Sequence, residues 1–137
     1  MTYEILSERT APDIKVTCPA DLYPVVKRFT TKKQEHFLAV TLDGAQNIIK
    51  AHIVSIGLVN RTLVHAREIF IRAIRDNAAS VILVHNHPSG SLEVSREDKD
   101  ATARMVSAGK LLGIPVLDHM VITKTGFYSF KEQGEMF

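Results

Sequence analysis

The chain carries one cysteine, Cys18, in 137 residues. An internal disulfide is therefore excluded, and a reducing cytoplasm is the expected compartment. No apolar run approaches the ~20 residues of a membrane span, and the N-terminus lacks the pattern of a secretory signal. Charge of one sign is missing too. Seventeen Lys and Arg oppose 15 Asp and Glu, for a net charge of +2. Short basic clusters occur at Lys27 and Arg28, at Lys32 and Lys33, and at Arg72 and Arg75, and read as a solvated mixed surface. The stripe of a dedicated DNA binder is absent. No repeat, low-complexity tract or Pro/Gly-rich linker divides the chain. What is present is an ordinary globular composition, 45% hydrophobic, enough for one domain with a real core. Cys18 reads as a small buried hydrophobe.

The periodicity predicts alternating helices and strands. Residues 1–18 are expected to form an N-terminal arm, loosest over 1–13, ahead of a domain spanning 19–137. Pro19 to Phe29 reads as a short helix with Pro24 as an interruption. His36 to Leu42 and Ile48 to Ile56 read as strands joined at Asp43-Gly44 and ended by Gly57. Val64 to Asn77 has helical spacing, with Ala66, Ile69, Phe70, Ala73 and Ile74 on one face. Val81 to Val84 suits a central strand covered on both sides. Arg96 to Leu112 is a second amphipathic helix, with Ala101, Met105, Ala108 and Leu112 inward and a stop at Gly113 and Pro115. Val116 to Thr123 and Phe127 to Phe130 complete the strands. The expected fold class is α/β, a single mixed β-sheet flanked by helices.

The most informative segment is Val81-Ile-Leu-Val-His-Asn-His-Pro-Ser-Gly90, followed by Ser95 and Asp98. Residues i and i+2 of a strand share a face, so His85 and His87 project together where the apolar run ends. Pro88 and Gly90 turn the chain, and Asp98 brings a hard anionic oxygen. Two imidazoles and one carboxylate leave a fourth tetrahedral position open, as in catalytic zinc sites. A plainer reading stands beside this one. Ser95-x-x-Asp98 before a helix is close to a capping box, and Ser95 and Asp98 could do no more than cap. Histidines His36, His52 and His65 read as surface or packing residues. Asp118-His119 reads as simple strand pairing, with a carboxylate orienting a metal-bound imidazole as the alternative.

His85-Asn-His87-Pro-Ser-Gly90 with Ser95-x-x-Asp98 resembles the metal motif of JAMM (MPN or JAB) metalloproteins, and of their RadC-like branch in particular. Gly57-Leu-Val-Asn60, Val64-His-Ala-Arg67-Glu68, Asn77-Ala-Ala79, Gly109-Lys-Leu-Leu-Gly-Ile-Pro115 and Leu117-Asp-His119 extend the likeness over the chain from about Pro19. The resemblance implies a cytidine-deaminase-like α/β fold and a Zn2+-dependent hydrolytic site that cleaves peptide or isopeptide bonds, with His85, His87 and Asp98 as metal ligands. It also implies a glutamate near the start of the first core strand. Glu35 occupies that place and would take a proton from the metal-activated water and pass it on. Without the resemblance Glu35 reads as a strand-edge charge beside Lys32 and Lys33, and Glu68 is the rival base. Ser95 would stabilise the oxyanion. The implied partner is a peptide or protein substrate, with DNA association by family analogy. Longer RadC-like proteins carry a DNA-associated helix-hairpin-helix region that 137 residues do not accommodate. A metal-dependent nuclease and a nucleic-acid-binding module are the alternative functions.

Overall fold

The structure is a computed structural model that describes residues 3–4, 14–57 and 64–136. Six strands form one mixed sheet: β1 (Tyr3–Glu4), β2 (His36–Leu42), β3 (Ile48–Ile56), β4 (Ser80–Asn86), β5 (Val116–Thr123) and β6 (Gly126–Ser129). Their spatial order is β1-β3-β2-β4-β5-β6. Only the β4–β5 pair is parallel among these neighbours. Among the described residues, three α-helices accompany the sheet: α1 (Pro19–Val26), α2 (Ala66–Arg75) and α3 (Arg96–Leu112). The α/β class with one mixed sheet, expected from the sequence, is the architecture found.

Strand periodicity sorts the core into two layers. Leu38, Val40 and Leu42 of β2, Ile82 and Val84 of β4, and Met120 and Ile122 of β5 face α1 and the turn after it, where Leu22, Val26 and Phe29 pack. Phe37, Ala39, Val81 and Leu83 face the other way, against Ile69, Phe70 and Ala73 of α2 and Met105 and Val106 of α3. Every residue of β2 and β4 is buried, as their continuous apolar runs require. Continuing the alternation, His85 falls on the α2/α3 face and Asn86 on the α1 face.

Several local readings are corrected. Pro24 does not interrupt α1, which runs through it and tightens into a 3₁₀ turn at Lys27–Thr31. Cys18 is exposed, at the cap position of α1, and not a buried hydrophobe. Ile74 is 60% exposed; it lies about a quarter-turn from the centre of the Ile69–Phe70–Ala73 stripe at ~100° per residue. Leu112 is 49% exposed, because α3 buries Asp98, Thr102, Val106 and Gly109 along with Ala101 and Met105. The buried stripe of α3 is thus partly polar, and those polar residues belong to the site below. The segment read as an arm meets the sheet at Tyr3–Glu4, paired with β3, and at Lys15, bridged to Asn47. Leu58 to Asn60 and most of 1–13 lie outside the described residues.

Candidate metal centre

The parallel β4–β5 pair and its α3 crossover build the site at the C-terminal end of β4, the usual place for one in an α/β sheet. His85 ends the pairing of β4 with β2, opposite Phe37, and on the other side lies opposite Val121 of β5. His87 is still tied to β5 through its amide, which donates to the Ile122 carbonyl at 3.1 Å. A turn then closes from the Gly90 amide to the His87 carbonyl at 3.0 Å, and Gly90 takes φ +85°, which glycine adopts without a Cβ penalty. The loop so formed returns the Ser91 carbonyl to His87 Nδ1 at 2.7 Å.

That contact fixes the His87 ring. A carbonyl only accepts, so Nδ1 carries the proton and, in the neutral ring, Nε2 presents its lone pair. Nε2 lies 3.0 Å from Nε2 of His85. The proton on His85 is fixed by a longer route. The Thr102 hydroxyl donates to the Asp98 carbonyl at 2.8 Å, so its oxygen accepts from Nδ1 of His119. In the neutral ring, Nε2 of His119 is then the acceptor for His85 Nδ1–H, 2.8 Å away. His85 Nε2 is left presenting a lone pair as well. Two lone pairs facing at 3.0 Å repel unless a cation or a proton sits between them. Two nitrogens on one tetrahedral zinc, each at 2.0–2.1 Å, lie about 3.3 Å apart. The donor set therefore fits a divalent ion.

Two carboxylates flank the pair. Asp98, 1% exposed, places Oδ2 at 4.0 Å from His85 Nε2, about 0.7 Å beyond a tetrahedral edge. Glu35 places Oε1 at 3.9 Å from His87 Nε2 and, with both histidines, forms a trio whose ligand atoms lie within 4.8 Å of one another. The carboxylates differ in surroundings. Asp98 is sealed beneath α3, whereas Glu35 lines an open cleft of about 800 Å³ with Lys33, His87, Ser91, Glu93 and Ser95. The capping reading of Ser95 holds as geometry: its Oγ accepts from the Asp98 amide at 3.1 Å, and Asp98 Oδ2 accepts from the Ser95 amide at 3.2 Å. The same two bonds aim the Asp98 carboxylate, so cap and site coincide.

Other candidates sit elsewhere. Glu68 accepts from the His65 amide at the start of α2 and does not line the cleft. His52 is buried against Asp76, Nε2 to Oδ2 at 2.7 Å; His36 packs on Phe29; His65 is exposed. Asp118 does not orient an imidazole. It accepts from Ser129 Oγ and from the amides of His119 and Lys131. Adjacent strand residues take opposite faces, so His119 reaches the histidines and Asp118 cannot. Thr102 went unread in the sequence. Its one signal was a polar residue four positions after Asp98, where a helix repeats its face.

Imidazole and carboxylate donors gathered at the end of a strand make a candidate centre for a divalent ion on an α/β sheet. Residues 16–135 match the RadC-like JAB domain, and the chain belongs to that family. It is 44% identical over 124 residues, 90% of its length, to a UPF0758 protein of Methanosarcina barkeri, of which it covers 54%. It is 44% identical over 120 residues to one of Rubrobacter xylanophilus, covering 87% of the chain and 52% of the relative. A UPF0758 protein of Geotalea uraniireducens is 48% identical over 108 residues, 79% of the chain and 47% of the relative. The chain spans about half the length of the curated relatives it matches. Family membership points to a metal-dependent hydrolase. Among the described residues, no helix is long and apolar enough to cross a membrane.

Proposed function

We propose that this chain is a zinc-dependent hydrolase of JAMM type acting on peptide or isopeptide bonds. His85, His87 and Asp98 are its metal ligands, Glu35 its proton carrier and Ser95 its oxyanion donor. The observation that carries the reading is the 3.0 Å approach of two imidazole nitrogens whose other nitrogens are both engaged. Burial supports dividing the two carboxylates: Asp98, buried on the inner side of α3, would be a ligand to the ion, while Glu35 faces the cleft from which substrate and water would arrive.

A divalent ion held by His85, His87 and Asp98 would supply Lewis acidity and lower the pKa of water bound to it toward about 7. Glu35 takes the proton released as water attacks the carbonyl carbon, then delivers it to the leaving amine nitrogen as the C–N bond breaks. Ser95 Oγ accepts from the Asp98 amide, so its own O–H points outward to the carbonyl oxygen as negative charge builds there. The cleft supports an amide over a phosphodiester. Its lining carries two carboxylates, Glu35 and Glu93, one lysine, Lys33, and, among the described residues, no arginine to clamp a phosphate with two bonds. A cytoplasmic setting agrees with a single unpaired cysteine.

The test is metal analysis of protein purified without chelator, followed by incubation with a peptide and isopeptide library and with single- and double-stranded DNA, each with and without chelator. One zinc per chain, lost in His87→Ala, and chelator-sensitive amide cleavage are expected. Full zinc occupancy in His87→Ala overturns the ligand assignment. Chelator-sensitive DNA cleavage without amide cleavage overturns the substrate class.

A further inference from the structure

We infer that Thr102 and His119 form a buried relay that keeps the proton of His85 on Nδ1, and that this relay sets the metal affinity of the chain. The inference rests on the proposal that His85 Nε2 binds the ion. Thr102, His119 and His85 are each 1% exposed, so water does not compete for their bonds. With both imidazoles neutral, the direction of every proton follows from one fixed acceptor. The Asp98 carbonyl accepts the Thr102 hydroxyl hydrogen; the Thr102 oxygen accepts from His119 Nδ1; His119 Nε2 accepts from His85 Nδ1. The chain therefore starts on the backbone of one proposed ligand, Asp98, and ends on the ring of another, His85. Phe130 stacks on His119 with ring planes 12° apart, and Phe37 is parallel to His85 within 4°. Neither ring can tilt to find another partner without disturbing an aromatic neighbour.

Metal-bound histidines ordinarily donate their second nitrogen to a carboxylate, a carbonyl or water. Here the acceptor is a second neutral imidazole, which can hold its proton on either nitrogen. Thr102 decides between the two. With the hydroxyl removed, His119 Nδ1–H loses its acceptor, and the alternative arrangement becomes competitive. His119 Nε2–H then donates to His85 Nδ1, and the His85 proton moves to Nε2. That proton points at His87 Nε2 and occupies the place of the ion. Thr102 and His119 are thus positioning residues for the metal.

The experiment reads the ring nitrogens of His85 by long-range ¹H–¹⁵N NMR in metal-free protein, and zinc affinity by competition with a chromophoric chelator. Wild type is expected as the Nδ1–H tautomer. Thr102→Val should move population to Nε2–H and weaken zinc 10–100-fold, the usual cost of losing such a partner. Thr102→Ser, which keeps the hydroxyl, should restore both readouts. His119→Phe, which retains a flat ring against Phe130, should weaken zinc as Thr102→Val does, and it replaces that variant if Thr102→Val does not fold. An Nδ1–H tautomer and near-wild-type affinity in Thr102→Val overturn the relay. Wild-type protein that takes up no zinc overturns the metal reading instead, and the tautomer measurement still decides whether Thr102 controls the proton.

Discussion

Asn86 accepts the backbone amide hydrogen of His36 on its side-chain oxygen at 2.6 Å. Its side-chain nitrogen donates to the Gln34 carbonyl at 3.1 Å. The two contacts bracket Glu35. The β2–β4 ladder ends at the Phe37–His85 pair, since β4 turns away at Pro88. Beyond that point the Asn86 amide stands in for a strand backbone. On the other side of Glu35, its carbonyl accepts from the Gly57 amide at 2.7 Å. Glu35 is thereby held from β3 and from β4, although it precedes the first residue of β2. Asn86 sits between the two histidines in sequence but on the opposite face of the sheet.

Replacing Asn86 should therefore loosen Glu35 and leave the histidines in place. Asn86→Ala removes both bonds in a buried setting and should cost about 2–3 kcal/mol of unfolding free energy, read from urea denaturation. Asn86→Asp keeps the acceptor but sets a carboxylate against the Gln34 carbonyl, and should cost at least as much. Zinc affinity should stay within a few-fold of wild type in Asn86→Ala. Wild-type stability in Asn86→Ala would show that the bracket is idle.

The proton carrier and the cap separate by a different pair of variants. Glu35→Gln should keep zinc and lose about 10²–10⁴-fold in turnover on whichever amide substrate the library yields. Ser95→Ala should lose roughly 10²-fold in turnover and about 1 kcal/mol of stability with the cap. Ser95→Asp restores a side-chain acceptor for the helix amide but cannot donate to an oxyanion, so stability should recover while turnover does not. Recovery of both would reduce Ser95 to a cap.

Most of the fold was legible because its signals are local. β2, β3, α3 and β5 match their sequence boundaries, since strand and helix periods, Gly57 and Gly113 all act within a few residues. His85, His87, Ser95 and Asp98 were legible for a similar reason, lying within one strand–loop–helix segment. Glu35 was reachable only through the family resemblance, because it meets His87 across the sheet. Thr102, His119 and Asn86 were harder still. Each acts through a partner at least four residues away, on another element or another turn, and a polar residue in an apolar stripe does not announce its partner. Asp118 and His119 show the limit sharply: the dipeptide read as simple strand pairing, with the carboxylate as the alternative site contact, and which of the two faces His85 depends on the phase of β5.

Gly109 fixes how closely α3 approaches Phe70 of α2 and the turn into β5 at Ile114 and Val116. A Cβ there would lie 2.5 Å from the Ile114 carbonyl oxygen and 3.3 Å from Phe70 Cζ. In an exposed helix, Gly→Ala gains up to about 1 kcal/mol. Here the clash is with backbone, and Gly109→Ala should instead lose about 1–3 kcal/mol, as overpacked cores do. Because α3 also carries Asp98 and Thr102, zinc affinity should fall with stability. A stabilised Gly109→Ala protein with unchanged zinc binding would mean that α3 can retreat without cost to the site.

Asp118 should give the fold a pH dependence of unusual sign for a carboxylate. Burial pushes its carboxyl above the ordinary 3.8, outweighing the downward pull of the bonds from Ser129, Lys131 and His119. Below 3.8 the group is protonated in folded and unfolded chains alike. As pH rises past that value the unfolded chain releases its proton first, so stability falls until the raised folded value is passed and is then level. Most paired carboxylates do the opposite. Asp118→Asn keeps an acceptor for the His119 and Lys131 amides, and its Nδ2 can donate to Ser129 Oγ, but it does not titrate. Stability of Asp118→Asn relative to wild type, followed by urea denaturation from pH 3.5 upward, should therefore increase through this window. A relative stability that decreases with pH would mean that the three hydrogen bonds, and not burial, govern this carboxylate.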